Sequence, residues 1–202
     1  MPEHAHTSIQ LGARGWDFPA WHGGYFPEDL PPEWRLTYYA NDFRQVLVPE
    51  GCWAVAEPAQ GRLWREDVSE TFRFYLELTD PQPRALGCLA QWGDALGSAL
   101  GGTLATGAAA RQAGLERSGP TFRVLEVAQP AVLPELRRDV APVAVLLLPS
   151  GVGSVREQRR LFTELVARIG AQGAIPVFFC GDPPPLQALR DARELAELMG
   201  IA

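Results

Sequence analysis

The 202-residue chain contains no lysine; its 18 basic residues are all arginines. That absence removes Schiff-base chemistry, a Walker-type phosphate lysine and a lysine general base. Histidine is scarce as well. There are three, and two of them, His4 and His6, sit in the N-terminal tail. Residues 93–202 hold no His, Trp or Tyr, so any histidine-dependent step must draw on the first half of the chain. Cysteine is equally thin. Cys52, Cys88 and Cys180 are far apart, odd in number and without a CxxC pair. Each lies in or beside an apolar run, which reads as buried reduced thiols rather than disulfides or zinc ligands. A net charge of −6 with no basic stripe argues against a nucleic-acid partner, because phosphate neutralisation supplies much of that affinity. The Gly/Ala-rich stretch 95–110 is short and broken by Ser98, Thr103 and Thr106, so no membrane span is expected. The start, MPEHAHTSIQ, lacks the basic and apolar parts of a signal peptide, and a cytoplasmic location is the expectation.

What is present suits one α/β domain over residues 1–202. Hydrophobic residues are 47% and charged residues 21%, enough apolar material for a sizeable core. Strand signals fall at Ser8–Gly12, Gln45–Val48, Phe72–Leu78, Leu86–Gln91, Phe122–Val127, Pro142–Leu148 and Ala174–Cys180. The run PVAVLLL is unbroken, as a parallel strand buried on both faces requires. Helix signals alternate with them. Pro31 and Pro32 precede an apolar face of Trp34, Leu36, Tyr38, Tyr39 and Phe43. Leu63–Val68 is a short helix candidate, and Gly93–Gly114 reads as a loose helix plus loop. Ser154 and Glu157 form a capping box ahead of Leu161, Leu165, Val166 and Ile169, with Gly170 as a stop. Gln187–Met199 closes the chain. Alternating strands and helices point to a parallel α/β fold. Seven strands are one short of a complete barrel, and only residues 129–141 separate the fifth and sixth, the place where deletion of one strand–helix unit is expected.

The segment 12–43, GARGWDFPAWHGGYFPEDLPPEWRLTYYANDF, carries a Gly-x-x-Gly-Trp turn, crowded aromatics and a Phe-Pro-Glu before a helix. It resembles the opening of the domain-of-unknown-function 72 (YecE-like) family. Looser resemblances follow at Trp64–Phe74, Leu86–Gln91, Phe122–Pro130 and Phe178–Leu198. The resemblance implies a TIM-barrel-like parallel (β/α) barrel, here reduced to about seven strands. The departures fall at strand C-terminal ends, where such barrels build active sites. Val46, Leu47, Val48 and Pro49 stand where the family has Val-Glu-x-Asn. Ala128 and Gln129 replace an Arg-His pair, with Glu126 and Pro130 kept. Leu148–Gly151 replaces Arg-Leu-His-Gly. Cys180 and Gly181 replace an Asn pair, with Asp182 following. Framework positions survive while ionisable rim positions thin out.

Candidate chemistry is correspondingly sparse. Catalytic candidates are Glu126, Asp182 and His22. The two carboxylates, with Gln91, would stand near the tops of three strands and hold a polar ligand; the plainer reading is a structural ion pair for Glu126 and a turn cap for Asp182. His22 could serve as a base or be an exposed loop histidine. His4 and His6 lack a third metal ligand, so no metal site is expected. Gly151, Gly153 and Ser154 could cradle an anion at a helix start or simply turn the chain. Trp16, Trp21 and Tyr25, with Phe18 and Phe26, could form a stacking wall or a hydrophobic plug. No cofactor is implied. The reading is a weakly active or non-catalytic protein that binds a small molecule or a protein, with a homodimer as a possible assembly. The alternative is a carboxylate- or metal-dependent enzyme acting on a phosphorylated or sugar-like molecule.

Overall fold

The computed structural model describes residues 7–79, 83–107, 120–134, 142–169 and 173–202. Seven parallel strands follow in chain order: β1 (Ser8–Arg14), β2 (Gln45–Val48), β3 (Arg73–Leu78), β4 (Leu100–Ala105), β5 (Thr121–Val127), β6 (Val143–Leu147) and β7 (Ala174–Phe179). Their order in the sheet is also sequential, and the barrel is closed. The described helices are α1 (Arg35–Asp42), α2 (Glu50–Trp53), α3 (Ala59–Glu66), α4 (Pro83–Leu96), α5 (Val155–Ile169) and α6 (Leu186–Leu198). None is long and apolar enough to cross a membrane. The chain forms two compact units, residues 14–123 and residues 1–13 with 124–202.

In the unit of residues 14–123, β2 and β3 pair from Gln45↔Arg73 to Val48↔Leu76. Every β2 residue is buried, and so is every β3 residue after Arg73. That is the behaviour of a parallel strand covered on both faces. After two prolines, Pro32–Trp34 makes one 3-10 turn that leads into α1. Leu36, Tyr39 and Phe43 turn inward, and the Tyr39 hydroxyl donates to the Gln45 carbonyl at 3.0 Å. This bond ties the helix to the start of β2.

The expected fourth strand at Leu86–Gln91 is instead the middle of α4. Ala85, Leu89, Trp92 and Leu96 are buried, spaced four, three and four residues apart. That is a helical stripe, which a short apolar window disguises as a strand. Gln91 is therefore an exposed helix residue, not a strand-end group. The fourth strand lies in Leu100–Ala105, inside the segment expected to be loose helix and loop. Its glycines hid it, since glycine is depleted in strands. Here they are required by close approach. A Cβ on Gly101 would meet the Tyr75 ring at 2.5 Å. One on Gly102, where φ is +150°, would meet the Pro120 carbonyl oxygen at 2.4 Å.

In the other unit, β7 pairs with β1 from Ser8↔Ala174 to Ala13↔Phe179, and with β6 from Val145↔Val177 to Leu147↔Phe179. The capping box forms as expected. Ser154 N–H and its hydroxyl donate to Glu157 Oε2 at 2.8 and 2.7 Å, and Glu157 N–H reaches Ser154 Oγ at 3.4 Å. The inward face of α5 uses Phe162 beside Leu161, Leu165 and Ile169, whereas Val166 is half-buried. The expected stop at Gly170 and the His4/His6 pair lie outside the described residues. So do residues 135–141 of the β5–β6 connection, where the expected deletion of a unit falls. None of the three cysteines is in a disulfide, but Cys52 is exposed and Cys88 half-buried, both on helices; only Cys180 is buried.

Two alanine substitutions should act with opposite signs. Gly102→Ala should destabilise by roughly 2–4 kcal/mol through clash and backbone strain. Gly87→Ala, in α4 with open space around it, should stabilise by about 0.4–1 kcal/mol. Urea denaturation of each variant measures both.

Candidate functional site

Two of the first three strands, β1 and β3, carry charge at their C-terminal ends, on residues whose significance the linear pattern conceals. Arg14 ends β1, and Glu77 is the penultimate residue of β3. Glu77 is 4% exposed. Arg14 Nε lies 2.8 and 3.0 Å from its two carboxylate oxygens, and Nη2 donates to Oε2 at 2.6 Å. This is a bidentate fork closed on a buried acid. The segment after β2 packs against it. Trp53 Nε1–H donates to the Glu77 carbonyl at 2.8 Å, and Glu50 accepts from the Thr79 N–H and hydroxyl at 2.7 and 2.6 Å. Cys52 lies within the field of both charges. Burial pushes its thiol up, Arg14 pulls it down and Glu77 pushes it up again.

A second feature of the same unit is an open groove of about 760 Å³. Trp16, on the turn after β1, and Trp34, Leu36 and Thr37, at the entry of α1, face Leu63, Trp64, Glu66 and Asp67 of α3 and its end. Trp16 meets Trp64 edge-on, with ring centroids 5.1 Å apart. Trp64 continues onto Trp92, also at 5.1 Å, and Trp92 onto Trp53 at 6.4 Å. An aromatic column thus runs from the groove to the support of Glu77. Four carboxylates line the groove: Asp17, Glu33, Glu66 and Asp67. Arg35 binds Asp17 at 2.9 and 3.0 Å, and His22 Nε2 sits 3.2 Å from the same acid. Desolvation, reinforced by Glu66, pushes the Asp67 carboxyl up.

The aromatics expected to form one wall divide. Trp21 and Tyr25 are 3% and 4% exposed and pack with Phe18, Phe26 and Tyr38, as a plug rather than a stacking surface. Trp16 alone of the three reaches the groove. His22 is an exposed loop residue that braces Asp17.

In the unit of residues 1–13 and 124–202, Glu126 and Asp182 are both exposed, and no hydrogen bond or ion pair joins them among the described residues. The Ser154 N–H and hydroxyl, the candidate donors to an external anion, are engaged by Glu157. Gly151 is needed for packing, since a Cβ there would meet the Val127 carbonyl oxygen at 2.0 Å. Gly153 has φ +61° and turns the chain into α5. Among the described residues no three His, Cys, Asp or Glu side chains stand close enough together to hold a metal ion.

Arg14 and Glu77 escaped the sequence reading because Phe72–Leu78 looks like a simple alternating strand. The available signal was the lone acid in a run that is otherwise bulky and apolar. The groove acids gave no signal, because they come from three separate segments.

The family model described as "Protein of unknown function DUF72" matches residues 10–80, the stretch that contains both Arg14–Glu77 and the groove. A crystal structure of a DUF72 family protein from Thermotoga maritima MSB8 is similar at 14% identity and a TM-score of 0.59, over 94% of this chain and 99% of that one. A DUF72 family protein from Enterococcus faecalis V583 is similar at 11% identity and a TM-score of 0.59, over 98% and 100%. These likenesses fix the fold. No curated protein matches.

Glu77→Gln should cost roughly 2–3 kcal/mol, because the guanidinium loses its charged partner. The same change should speed alkylation of Cys52, and Arg14→Met should slow it, as timed with iodoacetamide at pH 8. Asp67→Asn should leave the thermal midpoint unchanged or higher at pH 7. Its folded carboxyl is raised, so any stability from the neutral form is present below the ordinary value of 3.8 and lost as pH rises through the raised one.

Proposed function

We infer, for a chain that belongs through residues 10–80 to the DUF72 family, that its task is binding rather than turnover, and that the groove between the Trp16 turn, α1 and α3 is where it binds. The carrying observation is the contrast between the two features of the unit. The strand-end charges are committed to each other: three contacts from one guanidinium occupy both oxygens of Glu77. The groove, in contrast, offers aromatic and apolar walls with polar groups at its edges, the usual make-up of a ligand site.

The other reading, a carboxylate-dependent enzyme acting on a phosphorylated or sugar-like molecule, would rest on Glu126, Asp182 and the Gly151–Ser154 turn. Occupation of the Ser154 donors by Glu157 weighs against it.

A thermal-shift screen of metabolites and peptides on the wild type and on Trp34→Ala separates the readings. Stabilising compounds should lose most of their effect in Trp34→Ala and keep it in Glu126→Gln and Asp182→Asn. Stabilisation, or turnover of a phosphorylated or sugar-like compound, that disappears with Glu126 or Asp182 and ignores Trp34 would reverse the assignment.

A further inference from the structure

Resting on the reading of the groove as a binding site, we propose that its occupant is an arginine- or lysine-bearing segment of a partner protein. The charge on the walls is one-sided. Glu33, Glu66 and Asp67 have no ion-pair partner among the described residues, no arginine lines the groove, and the Arg35 guanidinium is held by Asp17. These acids do not converge tightly enough to hold a metal ion. Their charge is therefore spread over the turn after β1, the entry of α1 and the end of α3 rather than focused on one point.

The walls supply the second half of the recognition. Trp34 is 60% exposed and Leu63 is 52% exposed, each on its own side of the groove. Large apolar groups held in water gain most from being covered. An indole beside carboxylates is the environment in which a guanidinium or ammonium can stack and pair at once. The exposure also indicates a chain segment rather than an enclosed small molecule. Small-ligand pockets bury about 70–90% of their occupant, whereas walls that stay half in solvent cover only one side of theirs. The other side of the segment would remain with the partner or in water. Trp16 and Trp64, locked edge-on at 5.1 Å, give the floor a fixed shape, so little ordering is needed on binding.

The test is calorimetric titration of the full chain with a synthetic hexapeptide alternating arginine and leucine, beside a citrulline version of the same shape without charge, and argininamide. The arginine peptide should bind roughly tenfold or more tightly than the citrulline peptide. Its affinity should fall as salt rises from about 50 to 500 mM, as expected for exposed charges. Trp34→Ala and the double change Glu33→Gln/Glu66→Gln should each weaken it at least about fivefold. All three positions are exposed, so circular dichroism should show the variants folded. Equal binding of the citrulline peptide, still dependent on Trp34, would overturn the cationic occupant while leaving the groove as a binding site. Argininamide binding as tightly as the peptide would overturn the protein partner in favour of a small cation. Absence of binding by all three overturns the proposal; if the metabolite and peptide screen also yields no Trp34-dependent ligand, the groove reading falls with it.

Discussion

A buried carboxylate has to be matched, and in residues 14–123 much of the local architecture serves that requirement. Glu77 lies almost wholly out of water near the end of β3. An unpaired charge there would cost several kcal/mol in desolvation. Arg14, the last residue of β1, answers it with a planar fork that contacts both carboxylate oxygens. Lysine, with a single point charge and no fork, could not hold both oxygens in this way. The backbone around Glu77 is fixed as well, by Trp53 on its carbonyl and by Glu50 on Thr79. Three segments that are remote in sequence thus meet at one ion pair.

From that point the packing is aromatic. Trp53, Trp92, Trp64 and Trp16 succeed one another through tilted and edge-on contacts, the geometries that ring quadrupoles favour. Trp53 and Trp92 are fully buried, while Trp64 and Trp16 emerge into the groove. The same column that stabilises the strand ends therefore shapes the surface proposed to bind. This accounts for a chain that has few ionisable groups at its strand ends yet keeps a dense set of tryptophans in its first half.

Six of the seven strands were legible from apolar runs with turn residues at their ends, and so was the capping box at Ser154. Periodicity and end chemistry are local properties. The fourth strand was not legible. Gly101 and Gly102 read as loop because their role is to let Tyr75, Phe122 and the Pro120 carbonyl come close, and those neighbours are distant in sequence. Likewise LGCLAQ looked like a strand until Ala85, Trp92 and Leu96 placed it on a helical stripe. Val46–Val48, where ionisable rim groups were expected to have thinned out, are buried, and Arg14 and Glu77 form a charged pair that no window of a few residues reveals.

By itself the sequence determined the class of fold and the family likeness, because alternation, caps and the Gly-Trp turn are written in neighbouring residues. It also determined the chemistry that is impossible, since a chain without lysine cannot perform a lysine's reactions. The tertiary structure alone decided which side chains meet. It put Arg14 on Glu77, divided the aromatics between plug and groove, and brought Asp17, Glu33, Glu66 and Asp67 to the walls of one groove. Coulomb attraction, desolvation and dispersion depend on distance in space, and the chain brings those distances into being only when it folds.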